Sequence, residues 1–566
     1  GKARRNCNLL YKQLLTCPFC GKPLSAENFY IDFDRKSIEI YCSDPNCMFY
    51  KYKQDRIAIP VYLVDEEIYS KCPTIILSTV DKFARLPWDV KTNTLFGRVD
   101  RLCSRDGYVA IGDEHKRHNK TATLPTASLK PVKQFAPPEL IIQDELHLIT
   151  GPLGTIYGAY ETIIEDLCTY IDDNGQAIKP KYVVSTATIK NAGEQTKCLY
   201  GRKNTAQFPP NGFEIGDSFF INEVPITEDP FRKYVGICAN GQSMKTALLR
   251  VYAVLLQTSY ELSKDEATKN YIDPYYSLVG YFNSIRELGG AVRLLQDDIP
   301  KRIKRLKKKY HYERERPLKR RAEITSRMSS YDIPNKLKQL ETNFQSDDCL
   351  DTAVATNMIA VGMDVDRLGL MVVTGQPKQN SEYIQATSRI GRGFPGLVVT
   401  LYNPYRPRDL LHFENFTGYH SQLYRFVEGT TATPFSARAR DRVLHAVIIS
   451  AIRLKYPDLA RNTGAGLIAS LTDEQLDNIK SVILTRFNII KPSVRVEVET
   501  EIDQFIDWWK FLATQKKPLL YYIGKTDTYN RLMNYYGERC SESEKPTLNS
   551  MREVESASNM YYYWED

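Results

Sequence analysis

The stretch Asp351–Arg392, DTAVATNMIAVGMDVDRLGLMVVTGQPKQNSEYIQATSRIGR, decides the fold. It reads as a β-strand, a turn carrying Gly362 and Asp364, a second strand from Leu370 to Thr374, and a polar helix ending in Arg389 and Arg392. Arginines at that spacing share one helix face. A planar guanidinium bridges phosphate oxygens bidentately, so two aimed alike at the end of an α/β unit suit a nucleoside triphosphate. A solvated basic helix end has the same pattern, and the pair needs support from elsewhere in the chain.

That support lies upstream, in PPELIIQDELHLITGPLG. The apolar run Leu140 to Ile142 is expected to form a buried parallel strand that presents Asp144 and Glu145 at its C-terminal edge, where open α/β sheets meet ligands. Asp144 suits a hydrated Mg²⁺, Glu145 suits activation of an attacking water, and His147 follows two residues on. Between this segment and the first lies YVVSTATI, Tyr182 to Ile189. A similar acid pair in YVAIGDEH, Tyr108 to His115, is followed by the polar KRHNKTATLP, not by an amphipathic continuation, which favours Asp144 and Glu145.

At 566 residues the chain exceeds one core, and its 76 Lys and Arg against 68 Asp and Glu give a net charge of +8. That mild basic balance is compatible with nucleic acid. No apolar run of about 18 residues and no N-terminal signal pattern is present, so a soluble, cytoplasmic protein with no membrane contact is expected. Twelve cysteines in such a chain point to metal or buried thiols rather than disulfides. Cys17 and Cys20 in CPFC, then Cys42 and Cys47 in CSDPNC, deliver two pairs of thiolates from turns, with a hairpin-like alternation between them. They are expected to hold a structural Zn²⁺ as a zinc ribbon.

Pro73 to Trp88, PTIILSTVDKFARLPW, reads as a buried strand, a Ser-Thr turn and a helix start; Thr79 there suits either a phosphate seat or a helix N-cap. Leu278 to Asn283 is a further strand, and Ser284 opens the next helix. The run from Lys301 to Arg321 is dense in basic residues with Tyr310 and Tyr312 interleaved, and fits a nucleic-acid contact or a solvated linker equally. After Thr433-Pro434, helical periodicity resumes and marks a mostly helical C-terminal region.

Taken in order, DELH, TAT, ATNMIAVGMD and QATSRIGR resemble motifs II, III, V and VI of superfamily 2 helicases of the DExH kind. In detail, these segments, YFNSIRELGG, the ribbon and the late SMREVE (Ser550 to Glu555) are similar to the DrmA family, the large helicase subunits of the DISARM anti-phage system. The resemblance implies tandem RecA-like domains of α/β class with a zinc ribbon and a helical C-terminal region. The expected division is a ribbon with flanks at 1–60, the C-terminal part of a first RecA-like domain at 61–225, a second at 226–425 and the helical region at 426–566.

It implies an ATP-dependent DNA helicase or translocase, acting on single-stranded DNA or DNA with single-stranded ends beside a smaller DrmB-type partner subunit. Carried over by position, Asp144 would ligate Mg²⁺ and Glu145 would be the base. His147 and Gln385 would communicate between domains, and Thr186 and Thr188 would couple hydrolysis to movement. Gly362 and Asp364 would lie near ATP, Arg389 and Arg392 would be arginine fingers, and Thr79, Ser284, Arg327 and Thr356 would face the nucleic-acid backbone. No GxxxxGK[ST] phosphate loop occurs in the sequence: Gly524-Lys525-Thr526 lacks the earlier glycine. The loop is expected upstream of this sequence, so that this chain alone binds ATP poorly. The alternative is a RecA-like DNA-binding scaffold that does not hydrolyse ATP.

Overall fold

The near-continuous apolar runs of the central segments require burial on two faces, and the computed structural model supplies it. It describes residues 13–33, 35, 37–116, 118–121, 124–186, 190–210, 212–213, 218–220, 222, 224–225, 227–229, 231–325, 327–328, 332–359, 364–522 and 528–552. Thr188 and Gly362 lie outside these residues, as do Gly524-Lys525-Thr526 and the end of SMREVE. The chain divides into two compact units: one of Gly1–Thr186, Asn191–Ala206 and Thr430–Asp566, the other of Ala187–Lys190 and Gln207–Gly429.

The second unit is built on six parallel strands in the order Arg232–Cys238, Gly396–Tyr402, Leu370–Thr374, Leu278–Phe282, Thr352–Ala355, Arg321–Ile324. Successive side chains alternate between two cores. Leu278, Phe282, Leu370 and Val372 pack with Leu256, Leu288 and Ile303 from the helices Met244–Leu262, Ile285–Arg293 and Ile299–Tyr310. Val279, Tyr281, Met371 and Val373 pack with Leu340, Tyr383 and Ala386 on the opposite face. This is a doubly wound RecA-like domain.

The basic run is part of that domain rather than a linker. The helix Ile299–Tyr310 buries Ile299, Ile303 and Leu306 and turns its lysines outward. Arg316, whose side chain is 0% exposed, donates to the Leu256 and Tyr276 carbonyls at 3.2 and 2.8 Å, to Ser259 Oγ at 2.7 Å and to Asp351 Oδ1 at 3.2 Å. The other Asp351 oxygen accepts from the Lys319 and Arg320 amides, both at 3.0 Å.

In the first unit, Leu140–Gln143 pairs in parallel with Lys181–Val184, and the helix Gly151–Cys168 connects them. The expected buried strand is therefore a strand, but not a buried one: Leu140 is 52% and Ile142 66% exposed. The expected strand before Thr79 is absent, and Ile75 and Leu77 stand in the open without a pairing strand among the described residues. An apolar run becomes a buried strand only where neighbours pair and cover it; sequence pattern does not supply those neighbours.

The predicted ribbon hairpin forms, Phe29–Asp32 pairing antiparallel with Ser37–Ile40. The helical C-terminal region contains Ala437–Lys455, Asp473–Ile490 and Arg495–Ala513, with short strand pairs after them. The first of these helices starts at Ala437 rather than at Pro434, because Thr433 and Pro434 form a preceding turn closed by the Ser436 amide on the Thr433 carbonyl at 3.0 Å. This region packs on the helix Gly151–Cys168: Arg486 reaches Glu165 at 3.0 Å, and Lys455 reaches Asp166 at 2.8 Å. Arg453, buried, donates to the carbonyls of Pro87, Trp88 and Ala460 at 2.7 to 2.9 Å. Arg440 is buried against Glu497 and Glu501 at 3.0 and 2.8 Å. Among the described residues, no helix is long and apolar enough to cross a membrane.

Candidate functional site

The first unit collects Asp144, Glu145, His147 and Thr186 at the C-terminal ends of its two parallel strands. Asp144 follows Leu140–Gln143, and Ser185 and Thr186 follow Lys181–Val184, so strand pairing alone makes them neighbours. The pairing is extended past the strands, as the Ser185 amide donates to the Gln143 carbonyl at 2.9 Å and the Leu146 amide to the Ser185 carbonyl at 3.0 Å. Ser185 Oγ donates to Asp144 Oδ1, which also accepts the Glu145 amide at 2.9 Å. Sequence reading passed over Ser185 in favour of the two threonines that follow; its hydroxyl at the end of YVVS was the available signal.

Glu145 adopts φ 52° and ψ 49°, a left-handed conformation that a side chain with a Cβ enters only when its surroundings enforce it. The conformation turns the chain after Asp144, and the two acids find different partners, Asp144 in Ser185 and Glu145 in His147. Nδ1 of His147 lies 3.2 Å from Glu145 Oε2 and 3.5 Å from Thr186 Oγ1, with the His147 side chain only 6% exposed. The segment is fixed from beneath by Gln195, whose amide nitrogen donates to the Leu146 and Ile149 carbonyls at 3.4 and 3.2 Å. Asp144 thus keeps an oxygen for a hydrated cation, and Glu145 is oriented by a neighbouring imidazole. Thr79 is elsewhere in this unit, exposed before the turn Val80–Arg85, and its side chain makes no cap hydrogen bond there.

The second unit brings a separate set to the C-terminal edge of its sheet. Ser284, Thr356 and Arg327 follow the strands Leu278–Phe282, Thr352–Ala355 and Arg321–Ile324, which are neighbours in that order. Adjacent strands are ~4.8 Å apart, so the three form a row along one edge. Ser284 also has a local duty, its Oγ accepting the Glu287 amide at 3.2 Å as a helix cap. Thr356 is 7% exposed.

Arg389 and Arg392 do not share a helix face. The helix Asn380–Thr387 ends before them, Arg389 standing in the turn after it and Arg392 beyond Gly391. Gly391 has φ 74°, and a Cβ there would meet the Gly396 nitrogen and the Phe231 carbonyl oxygen at 2.8 Å; this close packing stops the helix. Arg392 turns to Asp364 and forms an ion pair with it. Gln385 is buried in the helix, and its carbonyl accepts the Ser388 hydroxyl at 2.9 Å.

Cys17, Cys20, Cys42 and Cys47 converge in the ribbon, with all four sulfurs within 4.8 Å of one another and no disulfide. Cys17 Sγ is 3.8 Å from Cys47 Sγ, and Cys20 Sγ is 3.5 Å from Cys42 Sγ. The Asp44 amide donates to Cys42 Sγ at 3.4 Å, and burial pushes the Cys42 thiol up to about 12. Four sulfurs at tetrahedral spacing, delivered in pairs from two turns, fit Zn²⁺.

A helicase conserved C-terminal domain model matches residues 302–393. The DISARM protein DrmA of Bacillus paralicheniformis is 52% identical over 572 residues, covering 99% of this chain and 50% of that protein. Nucleolar RNA helicase 2-B of Xenopus laevis is 33% identical over 69 residues, 12% of this chain and 9% of that protein. Among solved structures, the DUF1998 helicase MrfA bound to DNA is similar at TM-score 0.43 and 15% identity, over 68% of this chain and 40% of that one. The helicase Lhr of Mycobacterium smegmatis bound to single-stranded DNA and AMP-PNP is similar at TM-score 0.39 and 12% identity, over 65% of this chain and 38% of that one. The chain spans half the length of its DrmA relative and is similar to that half along almost its own whole length, with residues 302–393 matching a helicase conserved C-terminal domain.

Proposed function

We propose that this chain is part of an ATP-driven DNA translocase or helicase subunit of a DISARM-type defence system. The observation that carries the proposal is the acid pair at the strand edge, Asp144 held by Ser185 and Glu145 set in a left-handed turn beside His147. When bound, Mg·ATP supplies the γ-phosphoryl group and the charge that drives the cycle. Asp144 holds the cation through its water shell, Glu145 accepts a proton from the attacking water, and His147 orients the Glu145 carboxylate. By the family resemblance, Arg389 and Arg392 would supply guanidinium charge toward the phosphates, Arg392 being paired with Asp364 in this structure. By the same resemblance, Asp364 and Gly362 would serve the nucleotide, Gln385 and His147 would relay its state, and Thr186 and Thr188 would couple it to movement. Ser284, Arg327 and Thr356, with Thr79, meet the DNA backbone, and a DrmB-type subunit is the expected partner. The ribbon holds Zn²⁺ structurally, since four thiolates leave no open coordination position.

The acid pair fits a hydrated divalent cation, but none of the 566 residues forms a GxxxxGK[ST] cradle for the triphosphate. The absent loop also favours a second reading, a DNA-binding scaffold without hydrolysis. DNA-stimulated ATP hydrolysis by the longest natural chain containing this sequence, compared with its Glu145→Gln variant, separates the two. Stimulated turnover lost in the variant supports the motor and its base; DNA binding with no turnover in the parent establishes the scaffold.

A further inference from the structure

A second set of metal-ligating side chains lies in the first unit, apart from the four ribbon cysteines. Val99–Cys103 pairs antiparallel with Gly107–Ala110 on one side and with Leu129–Pro131 on the other. Cys103 ends its strand, and Asp106 stands in the tight turn that follows. His115 and His118 come from the long segment between the second and third strands. The Cys103 sulfur, an Asp106 oxygen and one ring nitrogen from each histidine all lie within 4.8 Å of one another. His115 Nε2 is 3.5 Å from Asp106 Oδ2, His118 Nε2 contacts the same oxygen, and the two rings are 5.4 Å apart.

Two further observations point to a ligand. His115 Nε2 is buried without a hydrogen-bond partner, a state that costs free energy unless something fills its lone pair or takes its proton. The segment is also poorly held by apolar burial. Its sequence, GDEHKRHNKTATLPTAS from Gly112 to Ser128, is polar, and among the described residues the buried cluster beside it is Cys103, Val109 and Ala127 with Leu129 against them. What fastens it is polar: Arg105 donates to the Asn119 and Pro125 carbonyls at 3.1 and 2.8 Å, and the Ala127 amide to the His118 carbonyl at 3.0 Å. A hydrogen-bonded Asp-His-His cluster beside a core thiol would account for the Asp106 contacts, but not for a sulfur, an oxygen and two ring nitrogens all within 4.8 Å of one another.

We propose that Cys103, Asp106, His115 and His118 bind one Zn²⁺ as a second, structural site. One sulfur, one oxygen and two imidazole nitrogens match the preferences of this ion, whose bonds of ~2.0–2.3 Å set tetrahedral ligand atoms ~3.3–3.8 Å apart, within the observed clustering. On binding, the Cys103 thiol releases its proton to solvent, the imidazoles bind neutral, and thiolate and carboxylate together balance the charge of the ion. Four protein ligands close the coordination shell, so the ion clamps the Gly112–Ser128 segment to the hairpin and leaves no position for a reacting water.

The test is zinc stoichiometry of the full natural chain, purified without a polyhistidine tag. His118→Ala is expected to lose one equivalent of zinc relative to the parent, Cys42→Ser with Cys47→Ser a different equivalent, and the combination both. Asp106→His, which keeps four donors, is expected to retain the parent content. Fold-independent evidence comes from Cys103 itself: in the native parent its alkylation is expected to be slow with zinc and to accelerate at least tenfold under a chelator, together with tryptic cleavage at Lys116 or Lys120. Unchanged zinc content in His118→Ala, or Cys103 alkylation at one rate with and without chelator, overturns the proposal.

Discussion

Single side chains set the terms of both units. Ser185 is the hydroxyl that holds Asp144, so Ser185→Ala removes one hydrogen bond to a charged group, worth roughly 1.5–3 kcal/mol. In the proposed motor, Ser185→Ala is expected to lower DNA-stimulated turnover about tenfold or more while leaving DNA affinity unchanged, as read by steady-state hydrolysis and fluorescence anisotropy. Arg316 is a structural counterpart. Truncating it strands the Asp351 carboxylate, 2% exposed, and empties a site filled by four hydrogen bonds. Arg316→Ala is expected to cost about 3–5 kcal/mol of second-unit stability in denaturant titration. Arg316 was hidden in sequence, because a basic run gives no sign of which arginine turns inward.

At the scale of the element, the helix Gly151–Cys168 carries a carboxylate into its core. Glu161 is 0% exposed, accepts a hydrogen bond from the Tyr182 hydroxyl, and is pushed by burial from an ordinary value of 4.5 up to about 7. Between those values the folded state keeps the proton while the unfolded state releases it, so stability falls as pH rises through the window. The loss is about 1.4 kcal/mol per pH unit, on the order of 3 kcal/mol in all. Glu161→Gln carries no such penalty, and its stability relative to the parent is expected to increase from pH 5 to pH 7.5 in paired thermal melts. For the proposed zinc ribbon, chelation is expected to raise hydrogen exchange across residues 14–63, whose core is built around Cys17, Cys42 and Cys47, while the six-stranded sheet keeps its protection.

On the scale of the molecule, sequence order and packing order differ. The second unit, Gln207–Gly429, has a sheet covered on both faces by its own helices, and as an isolated fragment it is expected to be soluble and to melt in one cooperative transition. The first unit is assembled from both sides of it in sequence. Trp88 Nε1 donates to the Leu548 carbonyl at 2.9 Å, and Arg453 to Pro87 and Trp88. A fragment ending at Ala206 is therefore expected to aggregate, and co-expression with residues 430–552 to restore its solubility, as measured by gel filtration.

Periodicity and spacing by themselves determined the parallel α/β class, the convergence of the ribbon cysteines and the place of the acids of DELH at a strand end, because those signals are local: alternating burial, a CxxC turn, an apolar run ended by carboxylates. Tertiary structure decided the rest. The helix predicted to carry Arg389 and Arg392 stops at Thr387 because Gly391 is wedged against Gly396 and Phe231, residues that no local pattern brings near. Ile75, Leu77, Leu140 and Ile142 look like core in sequence and are exposed because covering elements, not apolar content, make a strand interior. YVAIGDEH reads as a weaker copy of an acid motif until the antiparallel pairing of Val99–Cys103 and Gly107–Ala110 sets Cys103 and Asp106 against His115 and His118. Long-range pairing fixes which side chains meet, and that is the information a linear pattern does not contain.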